Sequence, residues 1–328
     1  MLPPMRKIFF AISSLILFVA FVSFAQSSPI QMRFETIHLE HTNAPITLEL
    51  AYQPGIVLKH SAILMLGTLR PDGKKWEVPS WSTNLIHEGF MLAAFRAERA
   101  PDPDPARRPE WLHFDERFAH SYVTGGFNAP QDAGRVMDHL QKRGDVGKFG
   151  WLGSSSTGIP GLAVATREPR LNAVVAFVST GAYRQWLDSW FTNKLWRSKS
   201  NERWPETEKL LPQVDPILYV NKMFPCAVLM VSGGDDKVVD PKTARAFVEA
   251  ARPFYTNDPN RLRLVIYDGF GHNLPADIVP MYAESWFRLY LHPTRPAPPS
   301  PGAAKDLNEA AKRTSVTGAD HKEIMRAK

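Results

Sequence analysis

The feature that most restricts this chain of 328 residues is a series of short apolar runs separated by helix-like segments. The runs lie at 62–66, 90–95, 149–152, 173–178, 227–231 and 262–267. Near-continuous apolar runs of this length suit strands buried on both faces of a parallel sheet. Between them the sequence predicts a short helix over 80–89, ending at Gly89, and another over 131–143, with Ala133, Val136 and Leu140 on one stripe and Gly144 as its stop. Further helices are expected from just after Ser155 to about Arg167, over 241–251 and over 278–291. Ahead of this series, residues 32–39 and 46–51 alternate roughly with period two around His41-Thr42-Asn43, which predicts an antiparallel hairpin. The expected architecture is therefore α/β: a mostly parallel eight-stranded sheet covered by helices on both faces, with right-handed crossovers. A long connection, 96–130, and a Trp-rich insertion, about 182–216, interrupt the alternation.

The two ends of the chain read differently from this body. Arg6 and Lys7 precede an uncharged apolar run from Ile8 to Ala25, and Ser23-Phe24-Ala25 offers small residues ahead of polar Gln26-Ser27-Ser28. That is the layout of a secretory signal peptide over 1–25, with cleavage before Gln26 and a secreted or periplasmic destination. An uncleaved N-terminal anchor is the alternative, because the run approaches the ~20 residues that span a bilayer. From Pro293 the composition turns to Pro, Ala and Lys without core-forming periodicity, so 293–328 is expected to be a disordered tail and 26–292 the folded domain.

Charge and cysteine content exclude several classes. The formal net charge is +6, but the basic residues are scattered, and no Lys/Arg stripe with interleaved aromatics suggests a nucleic-acid groove. A single cysteine, Cys226, leaves no intrachain disulfide and reads as a buried structural thiol. In His38-Leu39-Glu40-His41 the two histidines are three apart on a strand and point to opposite faces, and His113 and His120 show no ligand spacing. Neither a metal site nor a cofactor is expected.

Three motifs stand at three strand ends. Gly153-Ser154-Ser155-Ser156-Thr157-Gly158 follows one strand and opens a helix, where a sharp turn needs small neighbours and the free N–H groups of the helix face the turn. The length of the strand run places Gly153 two residues before Ser155, the nucleophile candidate. Choosing Ser156 would instead put Gly158 two residues after the nucleophile. Ser232-Gly233-Gly234-Asp235-Asp236 follows the next-but-one strand and supplies the acid candidate, Asp236, with Asp235 and Asp240 as alternatives. Asp268-Gly269-Phe270-Gly271-His272 follows the last strand and supplies the base candidate, His272. Reactive groups in open α/β sheets gather at this carboxyl edge.

The order Ser, Asp, His at successive strand ends resembles the α/β-hydrolase superfamily, and within it the dienelactone-hydrolase-like and prolyl-oligopeptidase-like serine esterase domains. The resemblance spans about 62–291. It implies that Ser155 attacks a carbonyl, His272 takes its proton, and Asp236 fixes the imidazole tautomer and stabilises the imidazolium. The backbone N–H groups of Ser156 and Thr68 would hold the oxyanion. Two departures are visible: Thr157 stands where a glycine is usual, which predicts a crowded turn, and Leu66-Gly67-Thr68 replaces the common His-Gly. Dienelactone hydrolases proper carry a cysteine nucleophile, so their substrate does not transfer to this serine turn. The aromatics of the insertion (Tyr183, Trp186, Trp190, Phe191, Trp196 and Trp204) suit a helix-packing role and a partly apolar cap. The leading expectation is a carboxylesterase acting on small-molecule esters. A prolyl-oligopeptidase-like peptidase is second, weakened because the chain lacks room for that family's β-propeller, and a non-catalytic binding protein of the same fold is third.

Overall fold

The computed structural model describes residues 31–40, 44–71, 73–98, 116–192 and 205–294. The signal segment, the Pro-rich stretch at 99–115, the middle of the Trp-rich insertion and the tail beyond 294 lie outside the described residues. Eight strands form one sheet in the order β1-β2-β4-β3-β5-β6-β7-β8. They are β1 (Arg33–Leu39), β2 (Ile46–Tyr52), β3 (His60–Leu66), β4 (Phe90–Ala97), β5 (Val146–Ser154), β6 (Leu171–Phe177), β7 (Ala227–Gly233) and β8 (Leu262–Tyr267). The β1–β2 and β2–β4 pairs are antiparallel, and every later pair is parallel.

The central strands are buried along their length because helices cover both faces, which is why their sequences read as continuous apolar runs and not as alternation. One face packs against α2 (Glu116–Lys142), α3 (Gly158–Ala165) and α6 (Pro241–Ala251), and the other against α1 (Ser82–His87) and α7 (Ile278–Tyr290). Ala244, Phe247, Val248 and Ala251 give α6 its buried stripe at the i, i+3, i+4, i+7 spacing. Its start is set by Pro241 at the first position and by the Asp240 carboxylate, which accepts from the Lys242 N–H at 2.9 Å. Cys226 is buried, and burial pushes its thiol up to about 12, so it is an inert packing group.

One element departs from the expectation. The helix predicted over 131–143 begins at Glu116, so the stretch leading to Pro130 is helical and not a loop. Pro130 sits inside α2, where its missing N–H leaves the Gly126 carbonyl, four residues back, without its helical donor. The Arg167 guanidinium fills that place, donating to the Gly126 oxygen at 3.3 Å. A partner from α3's far end thus offsets the defect, and no local signal announces it. Beyond α7 the chain stays tied to the sheet as far as Thr294, whose N–H and carbonyl pair with Lys59 and Leu58.

The insertion between β6 and β7 holds two helices, α4 (Tyr183–Thr192) and α5 (Pro205–Val214). Asp215, just past α5, accepts from the N–H groups of Tyr183 and Arg184 at 2.9 and 3.0 Å and so caps the start of α4. Burial raises the Asp215 carboxyl, and these backbone donors work against that rise. Tyr183, Trp186 and Leu187 of α4 pack with Val123, Ile159 and Val239 in a third apolar cluster.

Candidate active site

The carboxyl ends of β5, β7 and β8 bring the three motifs together. β5 runs out at Ser154, and Ser155 then adopts φ +50°, a left-handed conformation that costs a non-glycine residue energy and turns the chain abruptly into a short 3₁₀ turn, 155–157, before α3. The turn closes because its neighbours are small. A Cβ on Gly153 would lie 2.3 Å from the Thr157 carbonyl oxygen, and one on Gly158 would lie 2.2 Å from Ser179 Oγ. Thr157 does not crowd this turn. Its hydroxyl folds back onto Ser154, accepting from the Ser154 N–H at 2.9 Å and donating to the Ser154 carbonyl at 3.0 Å, so the threonine side chain braces the turn. From below, the buried Trp151 indole donates to the Thr157 carbonyl at 3.0 Å.

After β7 the chain curls back so that Asp236 is buried, with both carboxylate oxygens occupied. Oδ1 accepts from the N–H groups of Val238 and Val239 at 2.8 and 3.0 Å, and Oδ2 meets His272 Nδ1 at 2.8 Å. The two alternative acids lie elsewhere: Asp235 is exposed, and Asp240 caps α6. After β8, Gly269 at φ +80° turns the loop that carries His272. That loop rests directly on the end of β7, where a Cβ on Gly233 would come within 2.1 Å of the Gly271 oxygen and 2.4 Å of the Phe270 oxygen. The Asp235 N–H donates to Phe270 at 2.9 Å and stitches the two loops together.

His272 Nε2 stands 2.9 Å from Ser155 Oγ, so an unbroken hydrogen-bonded path runs from the buried carboxylate through the imidazole to the serine hydroxyl. With Nδ1 donating to the carboxylate, Nε2 is left to accept from the hydroxyl, the tautomer in which an imidazole acts as a base. Ser156 points elsewhere: its hydroxyl is hydrogen-bonded to Tyr122 of α2, whose phenol is raised by burial, with that bond opposing the rise. Thr68 follows Gly67, at φ +127°, past the end of β3. A buried glutamate of β2 holds this loop, Glu49 accepting from the Thr68 hydroxyl and the Leu69 N–H, each at 2.6 Å.

Sequence reasoning missed Glu49, Trp151, Tyr122 and Ser179, which shape the site without standing in a motif. Glu49 falls in a strand where alternation assigns it to solvent, and Trp151 reads as ordinary core. Among the described residues, no group of three or more His, Cys, Asp or Glu side chains is gathered as metal ligands would be. A polar cavity of about 360 Å³ opens beside Asp236, but Ser189, Lys237, Asp240, Lys242 and Arg245 line it together with that carboxylate, and neither Ser155 nor His272 borders it.

The strand order, the turn after β5 and the covered sheet decide the architecture. The fold is that of the α/β-hydrolases. Solved structures of low sequence identity share it. TT1662 from Thermus thermophilus matches with a TM-score of 0.53 and 21% identity, over 78% of this chain and 98% of that one. Acetyl xylan esterase 1 from Thermoanaerobacterium matches with a TM-score of 0.51 and 18% identity, over 79% and 88%. An acylaminoacyl peptidase from Pyrococcus horikoshii matches with a TM-score of 0.56 and 11% identity, but the α/β-hydrolase-fold chain described here spans only 40% of that peptidase. It likewise spans 37% of a dipeptidyl aminopeptidase IV-like structure from Bacteroides ovatus. Among curated proteins the chain is 27% identical over 222 residues to "Putative esterase YitV" of Bacillus subtilis, covering 63% of this chain and 83% of that protein. No family model matches the chain.

Proposed function

We propose that this α/β-hydrolase-fold chain is a serine hydrolase that cleaves carboxylic esters of small molecules through an acyl-enzyme intermediate. The observation that carries the reading is the continuous path Asp236–His272–Ser155, ending on a serine held at φ +50° at the head of α3. In this reading Ser155 Oγ attacks the ester carbonyl carbon as His272 Nε2 takes the hydroxyl proton. Asp236 stabilises the imidazolium, and the proton then passes to the leaving alcohol as the C–O bond breaks. Water, activated by the same imidazole, hydrolyses the acyl-serine. The developing oxyanion is held by the backbone N–H groups of Ser156 and Thr68. The first sits in the opening turn of a helix, whose leading N–H groups have no carbonyl of their own helix to bond. The loop that carries the second is braced by Glu49.

The similarity to a protein named as an esterase supports the ester reading. The peptidase alternative draws on structural neighbours of which this chain spans less than half. Hydrolysis of a panel of short-chain esters and of aminopeptide amides separates the two. The proposal expects turnover of esters by the wild type and none by Ser155→Ala, whereas amide turnover with inert esters would favour the peptidase. We further propose that residues 1–25 are a signal peptide and that the enzyme is exported. The intact mass of the exported protein should correspond to a chain beginning at Gln26, and a mass that retains 1–25 would point to an anchor.

A further inference from the structure

Trp186 of α4 is buried in the insertion, yet its polar atom faces the catalytic loops. Its indole Nε1–H donates to the Val238 carbonyl at 2.9 Å. Val238 belongs to the turn that wraps Asp236, and its own N–H is one of the two donors to Asp236 Oδ1. On its other side the Trp186 ring meets the Tyr122 ring edge-on, with centroids 5.1 Å apart and planes at 82°. Tyr122 in turn is hydrogen-bonded to the side chain of Ser156, the residue after Ser155. The contacts therefore close a circuit: Ser155, Ser156, Tyr122, Trp186, Val238, Asp236, His272 and back to Ser155.

The turn around Asp236 is tied on the β8 side by the Gly234 and Asp235 N–H groups, which donate to Tyr267 and Phe270. Trp186 ties it to the insertion through the Val238 carbonyl. The carboxylate's aim at His272 depends on where the Val238 N–H stands, because Oδ1 is held by Val238 and Val239 while Oδ2 takes the imidazole. α4 is itself fixed by the Asp215 cap at its start and by the ion pair of Arg184 with Glu208 of α5. The insertion is thus braced before it reaches the site.

We propose that Trp186 is a positioning residue of the serine hydrolase, holding Asp236 in line with His272 through the Val238 carbonyl. The inference deepens the reading given under Proposed function and rests on it. The decisive substitution is Trp186→Phe, which keeps a ring against Tyr122 and removes only the N–H donor and the second ring. Losing one hydrogen bond of this kind should lower kcat by about 3- to 10-fold with KM held within about 2-fold, since the lost alignment matters in the transition state and not in substrate binding. Benzothienylalanine at position 186, with the same two-ring shape and no N–H, should reproduce that fall without a packing change. It serves as the test should Trp186→Phe prove unstable. A second readout needs no turnover: the NMR signal of the His272 Nδ1 proton, shared with Asp236, should broaden and exchange faster in both variants. Wild-type kcat together with an unchanged proton signal would overturn the proposal. So would a rise in KM alone, which would make Trp186 a wall of the substrate pocket. If the wild type hydrolyses nothing but its proton signal still responds to loss of the indole N–H, the serine-hydrolase reading fails while the positional link stands.

Discussion

At the scale of single residues, the site depends on positions where one atom more or less changes the geometry. Gly153 faces the Thr157 backbone so closely that a Cβ must displace the turn itself, because the clashing atoms are main chain and cannot rotate away. Gly153→Ala should therefore lower both the thermal midpoint and turnover, with an overpacking cost of about 1–3 kcal/mol measured by denaturant unfolding. Asp236→Asn should keep the fold but present an amide that can donate to Nδ1 and favour the wrong imidazole tautomer. Steady-state kinetics should show kcat reduced on the order of 10³- to 10⁴-fold with KM little changed. Ser156→Ala should retain activity within about 3-fold, because its proposed part in the oxyanion site is a backbone N–H that alanine keeps, and its hydroxyl is hydrogen-bonded to Tyr122 and not to His272. A collapse of activity in that variant would move the nucleophile by one residue.

At the scale of elements, the strands and the motif-bearing loops were legible because both are local. Continuous apolar runs mark strands covered on two faces, and glycines mark the turns at their ends. The bounds of α6 and β8 match the sequence expectation residue for residue, since Asp240-Pro241 is an unambiguous start and the β8 run is bounded by polar residues. What was not legible depends on partners distant in sequence. α2 passes through Pro130 because Arg167, 41 residues away from Gly126 in sequence, supplies the missing donor. The crowding expected at Thr157 does not arise because its hydroxyl is taken up by the Ser154 N–H and carbonyl. The role of Glu49 in holding the loop at Thr68 could not be read from an alternating strand. Asp215→Ala removes the carboxylate that caps α4 across 31 and 32 residues of sequence and should destabilise by about 1–2 kcal/mol in chemical unfolding. A fall in turnover should accompany it, since α4 carries Trp186. Unchanged stability would mean that the cap contributes nothing in solution.

At the scale of the whole molecule, the pole of the sheet opposite the loops of Ser155, Asp236 and His272 carries its own charge balance. His60 is buried at the start of β3, bonded to the Gly89 carbonyl at 2.9 Å, and burial lowers its affinity for a proton below the ordinary histidine value. The unfolded chain consequently binds that proton first as pH falls through about 6.5, so stability should decline with acidification from that point. His139 shifts in the same direction and adds to the slope. Near it, Asp145 and Glu35 are held below the usual carboxylate range by Arg143 in spite of burial, and their contribution is lost only at lower pH, as the folded carboxylates take up protons. Thermal midpoints across pH 5 to 7 should therefore rise with pH in the wild type and rise less steeply in His60→Gln. This far pole anchors β3 and β5, while the near pole gathers the ends of β5, β7 and β8 around one serine. The claim that this serine is a nucleophile is tested most directly by treating the folded protein with a fluorophosphonate and locating the adduct by peptide mass spectrometry. A single adduct on Ser155 is expected, lost in Ser155→Ala and retained in Ser156→Ala. A folded wild-type protein that takes no label, or one labelled on another residue, would contradict it.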